Sequence, residues 1–185
     1  MKHYDFLAAA RFSNGFNGFR TQRWECVTTS ALEPISATLS FGNPSQPPIF
    51  DIKYASGRVT GFVLRRKGPN AGTRRSIDTA LPSGTFDQRV DWATVLASDL
   101  NPGSRFRFNV YDPSIGLSRA EAQVGPATRI TVPAGSFNVF PVVYTIAKSS
   151  GTETYKVFVT RALPRLLIRE DFQNGVVGEL VRIDQ

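Results

Sequence analysis

Two pairs of carboxylates are close in sequence, and the spacing of one pair would suit acid–base chemistry or a cation. Asp87 and Asp91 are four residues apart in a segment with helical character, which would place both on one face of a helix. Near a helix N-terminus, two carboxylates ordinarily stabilise the helix dipole, and we favour that role. Glu170 and Asp171 are adjacent in a predicted strand, so their side chains point to opposite faces and cannot share a proton.

The single histidine and the single cysteine give little support for nucleophilic catalysis. His3 lies near the N-terminus with only Asp5 as a neighbouring partner, so a surface role is expected. Cys26 lies in a strand-like run that favours a small buried hydrophobe, and one cysteine excludes an intramolecular disulfide and a thiolate zinc site. No metal-ligand cluster, phosphate-binding glycine loop or nucleophile motif is found. We therefore expect no metal and no cofactor, and these residues leave open whether the protein is an enzyme.

Basic residues dominate the charge, with 22 Lys and Arg against 15 Asp and Glu, a net charge of +7. They are spread along the whole chain, whereas nucleic-acid-binding proteins usually concentrate them in a stripe. Residues 105–111 alternate arginine with aromatic side chains but lack the glycine spacing of an RNA-recognition motif, and a strand with one buried face explains the pattern. The sequence thus contains no strong nucleic-acid motif.

The chain has 185 residues, of which 41% are hydrophobic, and this is enough to build the core of one domain. No run of about 18 apolar residues could form a transmembrane segment, and the first residues lack the apolar region of a secretory signal. We expect a single domain over residues 1–185, in which residues 1–49 form an added strand pair or a lid. The protein would be periplasmic or secreted if a leader has been removed, and cytoplasmic otherwise. No oligomeric state is predicted.

Most of the chain alternates between apolar and polar residues, which predicts β-strands. Alternation from Ile35 to Phe41 predicts one strand, and the segments Phe50–Tyr54 and Arg58–Arg66 predict a hairpin through Ser56-Gly57. Further strands, expected to be consecutive antiparallel neighbours, are predicted at about 105–112, 117–124, 128–132, 137–147, 153–161, 165–172 and 176–183. The last four should form a meander, since Asn174-Gly175 is a strong hairpin signal.

One short helix is predicted near residues 86–98. Thr85 and Gln88 have the spacing of a capping box at its start. Nine or more strands with one helix indicate a mostly β protein. The expected fold is a curved antiparallel sheet that forms an open β-barrel or a two-layer sandwich, because either form hides strand edges.

Several segments of the chain resemble the domain of unknown function 3108 family over roughly residues 50–183. The resemblance is carried by Ala55-Ser-Gly-Arg-Val59, Leu81-Pro-Ser-Gly84, Val95-Leu96, Pro102-Gly103, Val132-Pro-Ala-Gly-Ser-Phe137 and Pro164-Arg-Leu-Leu-Ile-Arg169. These motifs are structural; Gly135, for example, fits the turn before a long strand. The resemblance implies a bacterial, usually exported, mostly antiparallel β-domain, similar to open-barrel carriers of lipids or lipoproteins in the periplasm.

An open barrel offers a concave apolar cavity with a few polar groups. We therefore expect a binding or carrier protein for an apolar or amphipathic small molecule or lipid. The candidate ligand-binding residues are Tyr54, Arg65, Trp92, Arg107, Tyr111, Tyr144, Tyr155 and Arg169. The rings of Phe62, Phe106, Phe108, Phe140, Phe158 and Phe172 either line this cavity or simply fill the core. Each arginine could equally be a surface residue whose stem lies on the sheet.

Three other functions fit the same sequence. A cofactor-free lyase, isomerase or cyclase could act in the cavity through Tyr, Arg and Asp side chains, and would need a residue with a shifted pKa. An envelope scaffold could pair a free strand edge with a partner, at Arg58–Arg66 or Val176–Ile183. An anionic polymer could bind the basic surface, with an affinity that falls steeply with salt.

Overall fold

The computed structural model describes residues 22–41, 47–65, 69–149, 151–173 and 175–183. His3 and Asp5, and the part of the proposed lid or strand pair before residue 22, lie outside the described residues. The strands are β1 (Gln22–Thr28), β2 (Pro34–Phe41), β3 (Phe50–Ala55), β4 (Arg58–Leu64), β5 (Arg74–Ala80), β6 (Thr85–Asp87), β7 (Arg105–Asp112), β8 (Gly116–Val124), β9 (Thr128–Val132), β10 (Gly135–Lys148), β11 (Gly151–Thr160), β12 (Leu167–Phe172) and β13 (Val177–Glu179). Helix α1 is Asp91–Leu96. The protein is therefore mostly β, with antiparallel sheets and one short helix in the described part of the chain.

The described residues form two compact units, the first of which comprises those up to Arg89 together with Val110–Leu117. Its sheet has five antiparallel strands in the sequential order β1 to β5. The predicted hairpin is confirmed as β3 and β4, which turn through Ser56 and Gly57, both with positive φ. Strand β6 adjoins the end of β7, where the Gln88 amide donates to the Tyr111 carbonyl at 3.1 Å.

A row of residues in register crosses this sheet, and all of them are buried except Gly61, which is exposed. In register it contains Cys26, Ala37, Ile52, Gly61 and Ile77. Gly61 has a φ of +139°, and a Cβ atom there would lie 2.1 Å from the Asp51 carbonyl oxygen, so only glycine fits. Alternation thus places the side chains that the other four strands contribute to this row in the core.

Two sequence predictions about the first unit need correction. Strand β4 is paired with β3 on one side and β5 on the other, so Arg58–Arg66 is not a free edge. Strand β5 was not predicted as a strand, because only Ile77 of its seven residues is buried and the apolar alternation is therefore missing.

The second unit comprises Val90–Asn109 and the chain from Ser118 onward. Its antiparallel strands follow the order β13-β12-β11-β10-β8-β7, and β9 pairs with the first half of β10. The predicted meander of the last four strands is confirmed, and Val176–Ile183 does contain the edge strand β13. The expected pairing of β8 with β9 is wrong. Strand β10 has 14 residues, so its second half pairs with β8 while its first half pairs with β9.

Small residues on β8 make room for an aromatic side chain in the core of the second unit. Tyr144 on β10 lies between Ala122 of β8 and Tyr155 of β11, and all three are buried. A second apolar cluster consists of Val132, Val139 and Ile168, with Ile130, Ala134, Phe137, Phe158 and Leu180 packed against it. Burial of each such side chain contributes roughly 1.5–3 kcal/mol, so these clusters hold the sheet that carries the candidate site.

Helix α1 is shorter than the predicted 86–98, and it has no capping box. Thr85 lies in β6, where its hydroxyl donates to the Pro82 carbonyl at 2.7 Å. Val90 occupies the N-cap position and makes no side-chain capping bond. Because Asp87 belongs to β6 and Asp91 is the first helical residue, the two carboxylates do not share a helix face. In the part of the chain that the structure describes, no helix is long and apolar enough to span a bilayer.

Candidate functional site

The first unit contains a buried ionic cluster, which we call the arginine cluster: Tyr54, Asp87, Arg89 and Asp112. Asp87 is fully buried and accepts from Arg89 Nη2 and from the Tyr54 hydroxyl, both at 2.5 Å. Arg89 Nη1 contacts Asp112 Oδ2 at 2.8 Å. The guanidinium lies over the Phe50 ring, 4.5 Å from its centroid. One cation therefore holds two carboxylates together beneath the five-stranded sheet.

Burial and the neighbouring charges shift the pKa values of groups in and near the arginine cluster. Burial opposes the charge of Arg89, but the Asp87 and Asp112 carboxylates outweigh it and keep the pKa of the guanidinium above its ordinary value. Burial, reinforced by Asp87, raises the pKa of Tyr54 far above its ordinary value. Burial also raises the pKa of the Cys26 thiol, so this thiol stays protonated and unreactive. The cluster has the character of a structural core network.

The second unit contains a different polar group, which we call the tyrosine cluster: Asp91, Tyr144, Tyr155 and Glu170. The rings of Tyr144 and Tyr155 stack with centroids 4.8 Å apart. The Tyr155 hydroxyl donates to Oδ2 of the fully buried Asp91 at 2.8 Å. The Tyr144 hydroxyl is also buried, and no hydrogen-bond partner for it exists among the described residues.

Burial dominates the electrostatics of the tyrosine cluster. It raises the pKa of both Tyr144 and Tyr155, and the nearby Asp91 carboxylate adds to the effect. Burial also raises the pKa of Glu170 to about 7. The neighbouring residue on β13 is Gly178, where an added Cβ would lie 3.6 Å from Glu170 Oε2. Glu170 is thus a carboxyl group that changes charge near neutral pH on the inner face of the sheet.

A cleft of about 660 Å³ opens elsewhere in the second unit. It lies between the β11–β12 loop, the start of β10 and the segment after α1. Its lining residues are Leu100, Asn101, Ser136, Phe137, Asn138, Phe140, Thr160, Arg161, Ala162 and Arg165. Among the described residues, the lining thus includes two arginines, two phenylalanines and no carboxylate.

The two arginines of the cleft have different roles. Arg165 Nη1 donates to the carbonyls of Leu96 and Ser98 at 3.0 and 2.8 Å, and so ties the β11–β12 loop to the C-terminal end of α1. Arg161 is exposed, and its guanidinium lies 5.5 Å from the centroid of the Phe140 ring. Arg161 therefore presents a cation above an aromatic surface, an arrangement that can hold an anionic group next to an apolar chain.

Comparison with known proteins places the chain in a family. Residues 2–181 match the family model described as "Protein of unknown function (DUF3108)". The chain belongs to the DUF3108 family. The match confirms the family expected from the sequence and extends it to the first 49 residues.

Other comparisons with this DUF3108 protein are more distant. Among solved structures, it is similar to a "putative lipoprotein" from Parabacteroides distasonis ATCC 8503 at 14% identity, over 96% of this chain and 95% of that chain, with a TM-score of 0.30. A TM-score this low does not establish a shared fold. No curated protein matches the chain.

The eight ligand-binding residues predicted from the sequence lie at several separate positions in the DUF3108 protein. Tyr144 and Tyr155 stack on each other, and Tyr54 packs edge-on against Tyr111 with ring centroids 6.3 Å apart. Trp92 is buried on α1. Of the three remaining candidates, Arg65 lies in the loop after β4. Arg107 forms an ion pair with Glu121, and Arg169 forms ion pairs with Asp171 and Glu179. The cleft lining includes none of the eight, although it includes Phe140 from the wider aromatic set.

Sequence reasoning missed the cleft arginines of the DUF3108 protein. The available signal was the short Ala-Leu-Pro turn between two predicted strands, because Arg161 and Arg165 flank it and functional residues are often found on such loops. Within the described ranges, no three His, Cys, Asp or Glu side chains come close enough to hold a metal ion.

Proposed function

We propose that this protein binds an amphipathic molecule with an anionic group in the cleft of the second unit. The supporting observation is the lining, which combines arginines and phenylalanines without a carboxylate among the described residues. The volume of about 660 Å³ lies within the range of roughly 300–1,000 Å³ that is usual for small-molecule sites.

Each part of the cleft has a role in this proposal. Arg161 binds the anionic group, since a guanidinium can donate two parallel hydrogen bonds to a carboxylate or phosphate. The apolar chain lies against Phe137 and Phe140. Arg165 positions the loop, because its Nη1 donates to two carbonyls near the end of α1. The protein thus acts as a carrier or binding protein, the function expected from the sequence.

The first experiment is native mass spectrometry of protein purified from its own host, followed by extraction and identification of anything bound. A stoichiometric amphiphile with an acidic group would support the proposal and name the ligand class. A bound molecule that is neutral or cationic would contradict the assignment of Arg161.

A binding titration tests the cleft directly. The probe is 11-(dansylamino)undecanoic acid, a fluorescent fatty acid, and its methyl ester serves as the uncharged comparison. We expect the acid to bind more tightly than the ester, and Arg161→Gln to weaken binding of the acid by roughly tenfold or more, since a bond to a charged group is lost. Arg119→Gln is the matched control, because Arg119 is an exposed arginine of the same unit outside the cleft. Equal weakening by both variants, or no difference between acid and ester, would contradict the proposal.

Two finer expectations remain part of the proposal. One is the open β-barrel or two-layer sandwich expected from the sequence, which a crystal structure would test. The other is a periplasmic location, which the family resemblance implies and which fractionation of host cells would test. Recovery of the protein in the cytoplasmic fraction would contradict the second.

A second candidate is a cofactor-free acid–base enzyme, favoured by one observation. Glu170, with a pKa of about 7, lies in the same cluster as the unpartnered hydroxyl of Tyr144. Incubation with a metabolite extract of the host, followed by mass spectrometry, would reveal a consumed substrate. We would then expect Glu170→Gln to abolish the conversion, while Glu121→Gln, which alters an exposed carboxylate paired with Arg107, would leave it unchanged.

A further inference from the structure

Exposed apolar side chains are concentrated at one end of the sheet in the second unit. Seven large apolar side chains are exposed in the described residues, and four of them are here: Leu163 (77%), Leu166 (37%), Val181 (69%) and Ile183 (50%). We call these four residues the apolar patch. Single exposed apolar residues are ordinary on protein surfaces, but a cluster of them marks an interaction site.

Backbone hydrogen bonds bring the two halves of the apolar patch together. The Thr160 amide donates to the Leu166 carbonyl at 3.0 Å and so closes the β11–β12 loop, of which Leu163 is part. The Leu180 amide donates to the Ile168 carbonyl at 2.9 Å, so the chain beyond β13 runs past the start of β12. Val181 is the next residue along that chain, so it follows a residue that is bonded next to the start of β12, where the β11–β12 loop ends.

Among the described residues, exposed arginines adjoin the apolar patch in sequence. Arg161 is exposed at the start of the loop, and Arg182 is exposed between the two apolar residues of the C-terminal segment. Glu179, the acidic residue closest to that segment in sequence among the described residues, is engaged with Arg169 at 3.0 Å. Apolar side chains interleaved with arginines suit the boundary of a lipid bilayer, where the apolar groups enter the acyl region and cations meet lipid phosphates.

We propose that the apolar patch docks this protein on the surface of an anionic lipid bilayer. Leu163 and Val181 insert at the acyl boundary, and Arg161 approaches the headgroups. Because Arg161 and Ala162 also line the cleft, docking places the cleft opening at the membrane surface. The inference goes beyond ligand binding and does not rest on it, since the apolar patch can dock whether or not the cleft holds a ligand.

Vesicle co-sedimentation tests the docking. The vesicles contain either phosphatidylcholine alone or phosphatidylcholine mixed with phosphatidylglycerol. We expect preferential binding to the mixed vesicles that weakens as salt is added. The double variant Leu163→Ser/Val181→Ser should reduce the partition coefficient by at least roughly tenfold, because two apolar side chains no longer leave water. Leu117→Ser is the control, since Leu117 is another exposed leucine, 44% accessible and in the first unit, and we expect it to bind as the unaltered protein does.

Three results would overturn the proposal: no binding to mixed vesicles, equal binding to both kinds of vesicle, or an equal loss in the double variant and in Leu117→Ser. Analytical ultracentrifugation tests whether a second copy of the protein, and not a bilayer, covers the apolar patch. A dimer that dissociates in the double variant, without vesicle binding by the unaltered protein, would assign the patch to self-association. The fluorescent fatty-acid titration without vesicles separates the two proposals, because the double variant should still bind the probe if only docking is lost.

Discussion

The arginine cluster and the tyrosine cluster both bury tyrosine and carboxyl groups, but only the first pairs its carboxyl groups with a cation. In the first, Arg89 contacts both Asp87 and Asp112, and the Tyr54 hydroxyl completes the network. The second contains no arginine or lysine, and its hydrogen bond to Asp91 comes from the neutral Tyr155.

The difference shows how a buried carboxyl group is governed by its partners. A buried carboxylate that pairs with a guanidinium is costly to separate from it. A carboxyl group that is buried without such a cation favours its neutral form, and the raised pKa of Glu170 is an example. The arginine cluster should therefore determine overall stability, whereas the tyrosine cluster should make stability depend on pH.

The largest expected effect is at Arg89. Arg89→Met leaves the fully buried Asp87 without its cation, and we expect a loss of about 3–5 kcal/mol in the free energy of unfolding, measured with urea. The double variant Asp87→Asn/Arg89→Met should recover part of this loss. Arg107→Met, which breaks an exposed ion pair with Glu121, should leave the unfolding midpoint unchanged. Equal effects in Arg89→Met and Arg107→Met would show that the arginine cluster is solvated.

The next effect concerns Glu170 and pH. Its pKa rises from 4.5 to about 7 on folding, so the folded state holds its proton more tightly than the unfolded state does. Its contribution to stability is therefore complete below pH 4.5 and is lost as pH rises to about 7, a difference of about 3 kcal/mol. Glu170→Gln should remove this loss and stabilise the protein at about pH 8 relative to the unaltered chain.

Urea unfolding at several pH values measures the effect of Glu170→Gln. The control is Glu121→Gln, because a hydrogen bond from Arg107 lowers the pKa of this exposed carboxyl. Its substitution should not stabilise the protein at alkaline pH. A pH profile that is the same with glutamine at position 170 would mean that the carboxyl group is solvated in the folded protein.

A smaller loss is expected for Tyr155→Phe. The substitution removes the hydroxyl that donates to Asp91 and leaves the ring stack with Tyr144 in place. The buried carboxyl group loses one donor, and we expect the free energy of unfolding to fall by about 1–3 kcal/mol. Thermal and urea unfolding both measure this loss, and no change would show that water already satisfies Asp91.

The smallest effect is expected for Tyr144→Phe, which is the partner experiment on the same ring stack. Its buried hydroxyl has no hydrogen-bond partner among the described residues, so its removal should leave stability unchanged or raise it by about 1 kcal/mol. Tyr144→Phe and Tyr155→Phe both keep the aromatic ring, so any change in stability comes from the hydroxyl alone. Comparing them shows how much a buried hydroxyl contributes with a hydrogen-bond partner and without one. A clear destabilisation by Tyr144→Phe would indicate a partner such as a buried water.

Sequence patterns predicted those strands whose alternation is strong. The segment 105–112 was predicted as a strand and is β7, because Phe and Val alternate with Arg and Asn there. Strand β5 was missed because one apolar residue in seven gives no alternation. The pairing of β8 with β10 was also missed, since pattern alone does not show that one long strand pairs with two partners.

The candidate sites were harder to predict from sequence. The spacing of Asp87 and Asp91 suggested one helix face, but the helix begins only at Asp91 and Asp87 lies in a strand. Arg107 and Arg161 are both exposed arginines, and their sequence contexts did not reveal that only Arg161 lines a cleft. Burial and proximity depend on the folded chain, so neither property can be read from residue types.

The sequence alone determined the mostly β character and the final meander, because alternation and turn residues act over a few neighbouring positions. It also indicated the family, through the resemblance of several short motifs. The tertiary structure alone decided which polar groups meet. Tyr155 reaches Asp91 across 64 residues, and Arg165 reaches the Leu96 carbonyl across 69. Contacts of this kind set the charge of a buried carboxyl group and leave Arg161 facing a cleft, because desolvation and Coulomb interactions depend on distance in space and not on distance along the chain.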